Sequence, residues 1–188
     1  MMELADVLDS KSSGSDTVSV RPRLPAPADD YEALHNIISD PVTMQHYPKP
    51  YDEAGVRRWL EWSISNYKER GFGWWAVISK ESGELMGDCG ITLQIINGEI
   101  LPEIGYHFDK KFWRKGFGTE AAKAVRDWAF KNTDYNSLYS YMTQKNIGSY
   151  SVAEAIGMER VGAYTDEKYG DMYVYAITRE AWKNMKED

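Results

Sequence analysis

The chain has 188 residues, 43% of them hydrophobic, with a net charge of −7 and a single cysteine. That fits one ordinary domain with its own core, and the acidic balance speaks against a nucleic-acid duplex as partner. An internal disulfide is excluded, no apolar run approaches the ~20 residues of a membrane span, and no signal-peptide pattern opens the chain.

Residues 1–16 read as a disordered leader because Lys11-Ser-Ser-Gly-Ser-Asp16 is too polar to pack, which leaves 17–188 as a single domain. Thr17–Leu24 alternates as a strand ending at prolines 25 and 27, and Asp29 or Asp30 caps a helix to about Ile38. Pro41, Pro48 and Pro50 impose an irregular connection, and Asp52–Arg70 then shows helical spacing closed by Gly71. Gly73–Lys80, Leu85–Ile96 and Ile100–Phe108 form an antiparallel meander, with Asn97-Gly98 as a hairpin turn. Cys89, without metal-ligand spacing around it, is a small buried strand residue, and a reducing cytoplasmic setting is the default. A helix from Gly116 or Phe117 to about Phe130 follows, then a strand (Ser137–Met142), a helix (Ile147–Ile156), strands near Met158–Tyr164 and Asp171–Thr178, and a short helix around Glu180–Lys186. The order β-α-α-β-β-β-α-β-α-β-β predicts an α+β domain with a mixed sheet, because a helix joining Ile100–Phe108 to Ser137–Met142 makes that pair parallel.

Chemistry concentrates where the strand Glu103–Phe108 runs into the loop Asp109-Lys-Lys-Phe-Trp-Arg-Lys-Gly-Phe-Gly118 and a small-residue helix. The first N–H groups of a helix lack internal partners and sit at the positive end of its dipole. Gly116 and Gly118 let a phosphate approach the backbone, and Arg114 and Lys115, with Lys110 and Lys111, add positive charge. This is a metal-free diphosphate cradle, although a tight turn with solvated basic side chains fits the same residues. It matches neither the P-loop nor the dinucleotide fingerprint.

Trp113-Arg-Lys-Gly116-Phe-Gly118 resembles the cofactor motif Gln/Arg-x-x-Gly-x-Gly/Ala of the GNAT N-acetyltransferase superfamily. Phe112-Trp-Arg-Lys-Gly-Phe-Gly-Thr-Glu-Ala121 is similar to a string of its Rim-type branch, whose members include ribosomal-protein N-terminal acetyltransferases. Asn146-Ile-Gly-Ser149-Tyr-Ser-Val152-Ala-Glu154-Ala-Ile-Gly157 resembles the second motif of that branch, with Ala155 in place of its lysine. Tyr173–Trp182 resembles its closing strand, so the likeness runs from about Val20 to Trp182.

The resemblance implies acetyl-CoA as donor and direct attack by a neutral amine on the thioester. It implies that the pantetheine arm enters a splay between two parallel strands and meets backbone groups at Tyr106, His107 and Phe108. The backbone of Trp113, Arg114, Lys115, Gly116, Phe117, Gly118 and Thr119 would hold the diphosphate. Asn146 would contact the cofactor, cap its helix, or both. A backbone N–H near Tyr106 or His107 becomes the oxyanion donor. Ser149, with Tyr150 as substitute, becomes the acid for the departing thiolate, unless water serves.

Glu103 is the first choice of base, against the alternative of an exposed strand-face carboxylate. The resemblance adds Asp166 and Glu167, since relatives place an acidic residue after the last helix, and His107 is a base by its chemistry if no bulge moves it off the face of Glu103. Tyr47, Trp59, Trp62, Trp74 and Trp75 are candidate acceptor walls, or simply an aromatic core. The acceptor is a protein N-terminus or a small-molecule amine, with no nucleic acid and no membrane as partner and room left for a homodimer. The competing reading is an acyl-CoA sensor or scaffold without turnover.

Overall fold

A computed structural model describes residues 18–22 and 28–185. The leader 1–16, prolines 25 and 27 and Lys186 lie outside the described residues. The elements are β1 (Val18–Pro22), α1 (Ala28–Ile38), α2 (Glu53–Arg70), β2 (Trp74–Ser79), β3 (Leu85–Ile96), β4 (Glu99–Phe108), α3 (Phe117–Asn132), β5 (Ser137–Thr143), α4 (Ile147–Ala155), β6 (Glu159–Asp166), β7 (Gly170–Thr178) and α5 (Arg179–Asn184). The order is the one expected, and the fold is a mixed α+β sheet flanked by helices.

Seven strands lie in the order β1-β2-β3-β4-β5-β7-β6. The first four form an antiparallel meander, β4 and β5 are parallel, and β7 inserts antiparallel between β5 and β6. Asn97 and Gly98 both take positive φ, 49° and 85°, the conformation of a two-residue hairpin whose twist suits its strands. Counting outward from that turn gives an unbroken β3–β4 ladder, from Ile96 opposite Glu99 to Gly87 opposite Phe108. No bulge intervenes, so Glu103, Gly105 and His107 share a face.

Helices cover both faces, which is why β2 and the first part of β3 are buried continuously rather than alternately. On one face Trp75, Val77, Ile91 and Ile104 pack with Ala121, Ala122, Val125 and Ala129 of α3, whose small side chains let the helix lie close. On the other, Ala76, Ile78 and Leu85 pack with Leu34 and Ile38 of α1 and Val56 of α2. Asp52 caps α2 by accepting the Gly55 N–H at 2.7 Å, and Gly71, at φ 75°, ends it by donating to the Tyr67 carbonyl. Among the described residues no helix is long and apolar enough to cross a membrane.

Candidate active site

The site is built around a fork. Strands β4 and β5 pair at one register position, Glu103 opposite Tyr139, and make no further ladder pairs among the described residues. The stretch Ile104–Phe108 therefore presents a β5-side edge with no strand paired to it among the described residues. Glu103 stands at the vertex, 7% exposed. Burial pushes its carboxyl up to about 8, opposed in part by a hydrogen bond from Thr92, its cross-strand partner. This burial removes the alternative of an exposed strand-face carboxylate.

On the α3 side of the fork, Asp109 caps a 3₁₀ turn (Lys110–Phe112), and the Trp113 indole N–H donates to the Phe108 carbonyl at 2.8 Å, tying the loop to the end of β4. Arg114 and Gly116 take positive φ, 59° and 87°. Gly116 is the N-cap of α3 and supplies no side-chain cap, so the first N–H groups of the helix have no side-chain cap among the described residues. Next to them, Asn146 caps α4 by accepting the Ser149 N–H at 3.1 Å. The Tyr106 hydroxyl donates to the Ser149 carbonyl at 2.7 Å and lies 3.1 Å from the Ser149 hydroxyl.

The opposite face of β4 carries a polar cluster inside an aromatic shell. His107 Nδ1 lies 2.8 Å from Asp88 Oδ1, and the Trp59 indole N–H donates to Asp88 Oδ2 at 3.3 Å. His107 Nε2 lies 2.8 Å from the Tyr47 hydroxyl. Trp74 stacks on the imidazole at 5.1 Å and 25°, while Trp59 meets it edge-on at 5.4 Å. Gly105 makes room for this stack, since a Cβ there would lie 2.5 Å from the Trp74 ring. Tyr47 also meets Tyr169 of the β6–β7 turn edge-to-face at 6.2 Å, joining two distant loops above β4. Burial raises the Tyr47 hydroxyl well above its ordinary value, with Glu103 adding to the effect, and Tyr141 is raised by the same two causes.

Residues 22–159 match the sequence profile of the acetyltransferase (GNAT) domain. The chain belongs to the GNAT acetyltransferase family. It is 34% identical over 122 residues to the uncharacterized protein YkkB of Bacillus subtilis (strain 168), covering 65% of this chain and 71% of YkkB. A crystal structure of a GNAT-family acetyltransferase from Bacillus anthracis superposes with a TM-score of 0.73 at 26% identity, covering 89% of this chain and 98% of that one. RimL, a ribosomal L7/L12 alpha-N-protein acetyltransferase solved with coenzyme A, shares the fold at a TM-score of 0.70 and 18% identity, over 89% and 97% of the two chains.

GNAT acetyltransferases use acetyl-CoA, and the loop of this acetyltransferase suits an anionic diphosphate. Its helix N-terminus is uncapped by any side chain, and Arg114 makes no ion pair among the described residues. Two expected contributors are spent elsewhere. Lys110 pairs with Asp40 at 2.9 Å, and Lys111 pairs with Glu84 and Asp109, so their charge is largely neutralised. Lys115 lies over the Phe112 ring at 5.8 Å. Gly118 has ordinary neighbours, since a Cβ there would meet Val152 at 3.6 Å and Phe108 at 3.7 Å.

The expected acceptor wall is corrected in part. Tyr47, Trp59 and Trp74 gather beside Glu103 and His107, but Trp75 points to the other face, 1% exposed and packed against Trp128, because successive strand residues alternate. Trp62 is 36% exposed and touches Trp59 at 5.2 Å. Tyr150 is also displaced from its expected role: its ring stacks on Tyr175 and meets Tyr173, whereas Tyr106 is the phenol beside Ser149. Asp166 accepts the N–H groups of Lys168 and Tyr169 and so shapes the turn that carries Tyr169, and Glu167 is exposed. Sequence reasoning missed Asp88 and Thr92 as site residues, though the signal was present: nine steps out from the Asn97-Gly98 turn, residue 88 falls opposite 107. Tyr141 and Tyr169 carried no comparable local signal.

Proposed function

We propose that this acetyltransferase moves the acetyl group of acetyl-CoA to a cationic amine bound on the α1–α2 face of β4, with Glu103 as the base. The observation that carries the reading is a buried carboxyl at the one position where β4 pairs with β5, on the same face of the sheet as His107. Bound acetyl-CoA supplies an activated thioester. The unpaired edge of β4 at Tyr106, His107 and Phe108 suits an extended amide-bearing arm, and the uncapped start of α3 with Arg114 suits a diphosphate. A β4 backbone N–H near Tyr106 or His107 serves as the donor to the developing oxyanion. Ser149, hydrogen-bonded to Tyr106, is the proton source for the departing sulfur and regains its own proton from water.

Glu103, with its carboxyl near 8, suits removal of a proton from an ammonium at neutral to mildly alkaline pH. The acceptor class follows from the walls. Tyr47, Trp59, Trp74 and Tyr169 offer ring faces and hydroxyls, and Glu103 becomes an anion beside them when it ionises, which together favour a cation. A free peptide N-terminus of the Rim type and a small-molecule amine both present that group.

The test is thiol release from acetyl-CoA against peptides with free N-termini, amino acids, polyamines and aminoglycosides, with Glu103→Gln in parallel. Amine-dependent turnover lost in the variant supports the assignment. Tight acetyl-CoA binding with no amine acetylated replaces it with a sensor or scaffold.

A further inference from the structure

Converting a primary ammonium to an amide removes two protons from nitrogen, and Glu103 accounts for one. On the same face of β4 stands a second proton-accepting group that the reaction above leaves unused. Asp88 and His107 are 1% and 5% exposed, sealed by the Trp74 stack and the Trp59 edge. As a carboxylate, Asp88 accepts from the Trp59 indole and from His107 Nδ1, which fixes the tautomer of the ring. In the neutral imidazole Nε2 is then an acceptor, and the Tyr47 O–H is the donor that fills it at 2.8 Å. The chain of hydrogen bonds ends at the Tyr47 oxygen, whose proton affinity burial raises, with the charges of Glu103, Tyr51, Tyr141 and Tyr169 adding to the effect. A second proton on Nε2 reverses the last bond: Nε2–H donates to the Tyr47 oxygen, and the phenol hydrogen turns outward.

We propose that Tyr47 is a catalytic residue that takes the second proton from the acceptor nitrogen and passes its own to His107, with Asp88 and His107 as positioning residues behind it. The inference rests on the amine-acetylation reading. As the new N–C bond forms, an N–H bond breaks and its electron pair stays on nitrogen. That proton binds the Tyr47 oxygen while the Tyr47 O–H proton moves to Nε2. Tyr47 stays neutral throughout, as its burial requires, and the positive charge rests on an imidazolium facing Asp88. After product leaves, the imidazolium discharges through Tyr47 to water. Glu103 separately takes the first proton, so each proton has its own acceptor.

Tyr47→Phe keeps the ring and removes the link. Single-turnover acetylation of the best amine from the panel, measured across mixtures of H2O and D2O, separates this role from a structural one. In the wild type the rate curves with deuterium fraction, as two protons move together. In Tyr47→Phe the single-turnover rate constant falls about 10²-fold, the curvature is lost, and the acetyl-CoA Kd stays within about twofold because Tyr47 lies on the acceptor face. His107→Gln, which can still hydrogen-bond Tyr47 but holds no extra proton, shows the same loss. A Tyr47→Phe rate within about threefold of an active wild type, or a linear wild-type profile, overturns the relay and leaves Glu103 standing. A wild type that binds acetyl-CoA and acetylates no amine overturns the relay together with the reading beneath it.

Discussion

Glu103 stands opposite Tyr139 at the one position where β4 and β5 pair, so the buried carboxyl occupies the point beyond which the β5-side edge of β4 has no ladder partner among the described residues. Its raised proton affinity is a consequence of that place, because β3, β4 and the aromatic shell exclude the water that would otherwise solvate the anion.

Activity should therefore follow ionisation of Glu103. At saturating acetyl-CoA, kcat/KM for the amine is expected to rise about tenfold per pH unit below about 8, the Glu103 value, and then level. Glu103→Gln should lower kcat/KM about 10²- to 10⁴-fold and abolish this limb. The pH–rate profiles of the two proteins check it, and an unchanged limb in the variant removes Glu103 as the base.

The same shift predicts a stability effect of the opposite sense. The folded protein holds the Glu103 proton up to about 8, while an unfolded chain releases it near the ordinary 4.5. Between those values the folded state binds more protons, so this contribution to stability falls as pH rises. Glu103→Gln should leave stability at pH 4 nearly unchanged and raise it by a few kcal/mol, at most ~4, at pH 8.5. Urea melts at the two pH values provide the comparison.

The two loop glycines should separate conformation from ligand contact. Gly116→Val forces a left-handed backbone onto a branched residue and should cost about 1–2 kcal/mol, lowering Tm by about 2–8 °C. Gly118→Ala meets only ordinary contacts and should leave Tm unchanged. If a phosphate passes over residue 118, the acetyl-CoA Kd of Gly118→Ala should still rise about tenfold or more. Calorimetric titration of acetyl-CoA into both variants decides the point.

Among the basic side chains, Arg114→Ala should weaken acetyl-CoA binding by about tenfold, with the effect shrinking as salt is raised. Lys110→Ala and Lys111→Ala should change it by no more than about twofold, since their ion pairs with Asp40 and Glu84 already hold these exposed side chains away from the loop. Equal losses for all three would mean that the pairs open when the cofactor binds.

Gly105→Ala places a methyl 2.5 Å from the Trp74 ring, which must then slide off His107. A stability loss of about 1–3 kcal/mol is expected. The amine KM should rise while the acetyl-CoA Kd is nearly constant, because the displaced ring lies on the proposed acceptor face. Tm and initial-rate measurements together test both.

Much of this protein was legible in a linear reading because the relevant information is local. The Gly116 loop and its helix are contiguous in sequence, and their chemistry depends on backbone conformation and helix polarity within a few residues. The β3–β4 ladder is local in the same sense: a two-residue turn at Asn97-Gly98 determines every pairing outward from it, including Thr92 with Glu103 and Asp88 with His107. The element order, the parallel β4–β5 pair and the meander were all decided at this level.

Tertiary structure decided what stands over those strands. Tyr47 is 60 residues from His107 along the chain, and Tyr169 reaches it from a hairpin near the other end. Trp74 and Trp75 are adjacent in sequence yet serve opposite faces, one against His107 and one against Trp128. Side-chain alternation tells which residues share a face, but not which helix or loop will cover it. That depends on the packing of segments far apart in sequence, and at this site it turned a strand histidine into the buried link between a carboxylate and a phenol.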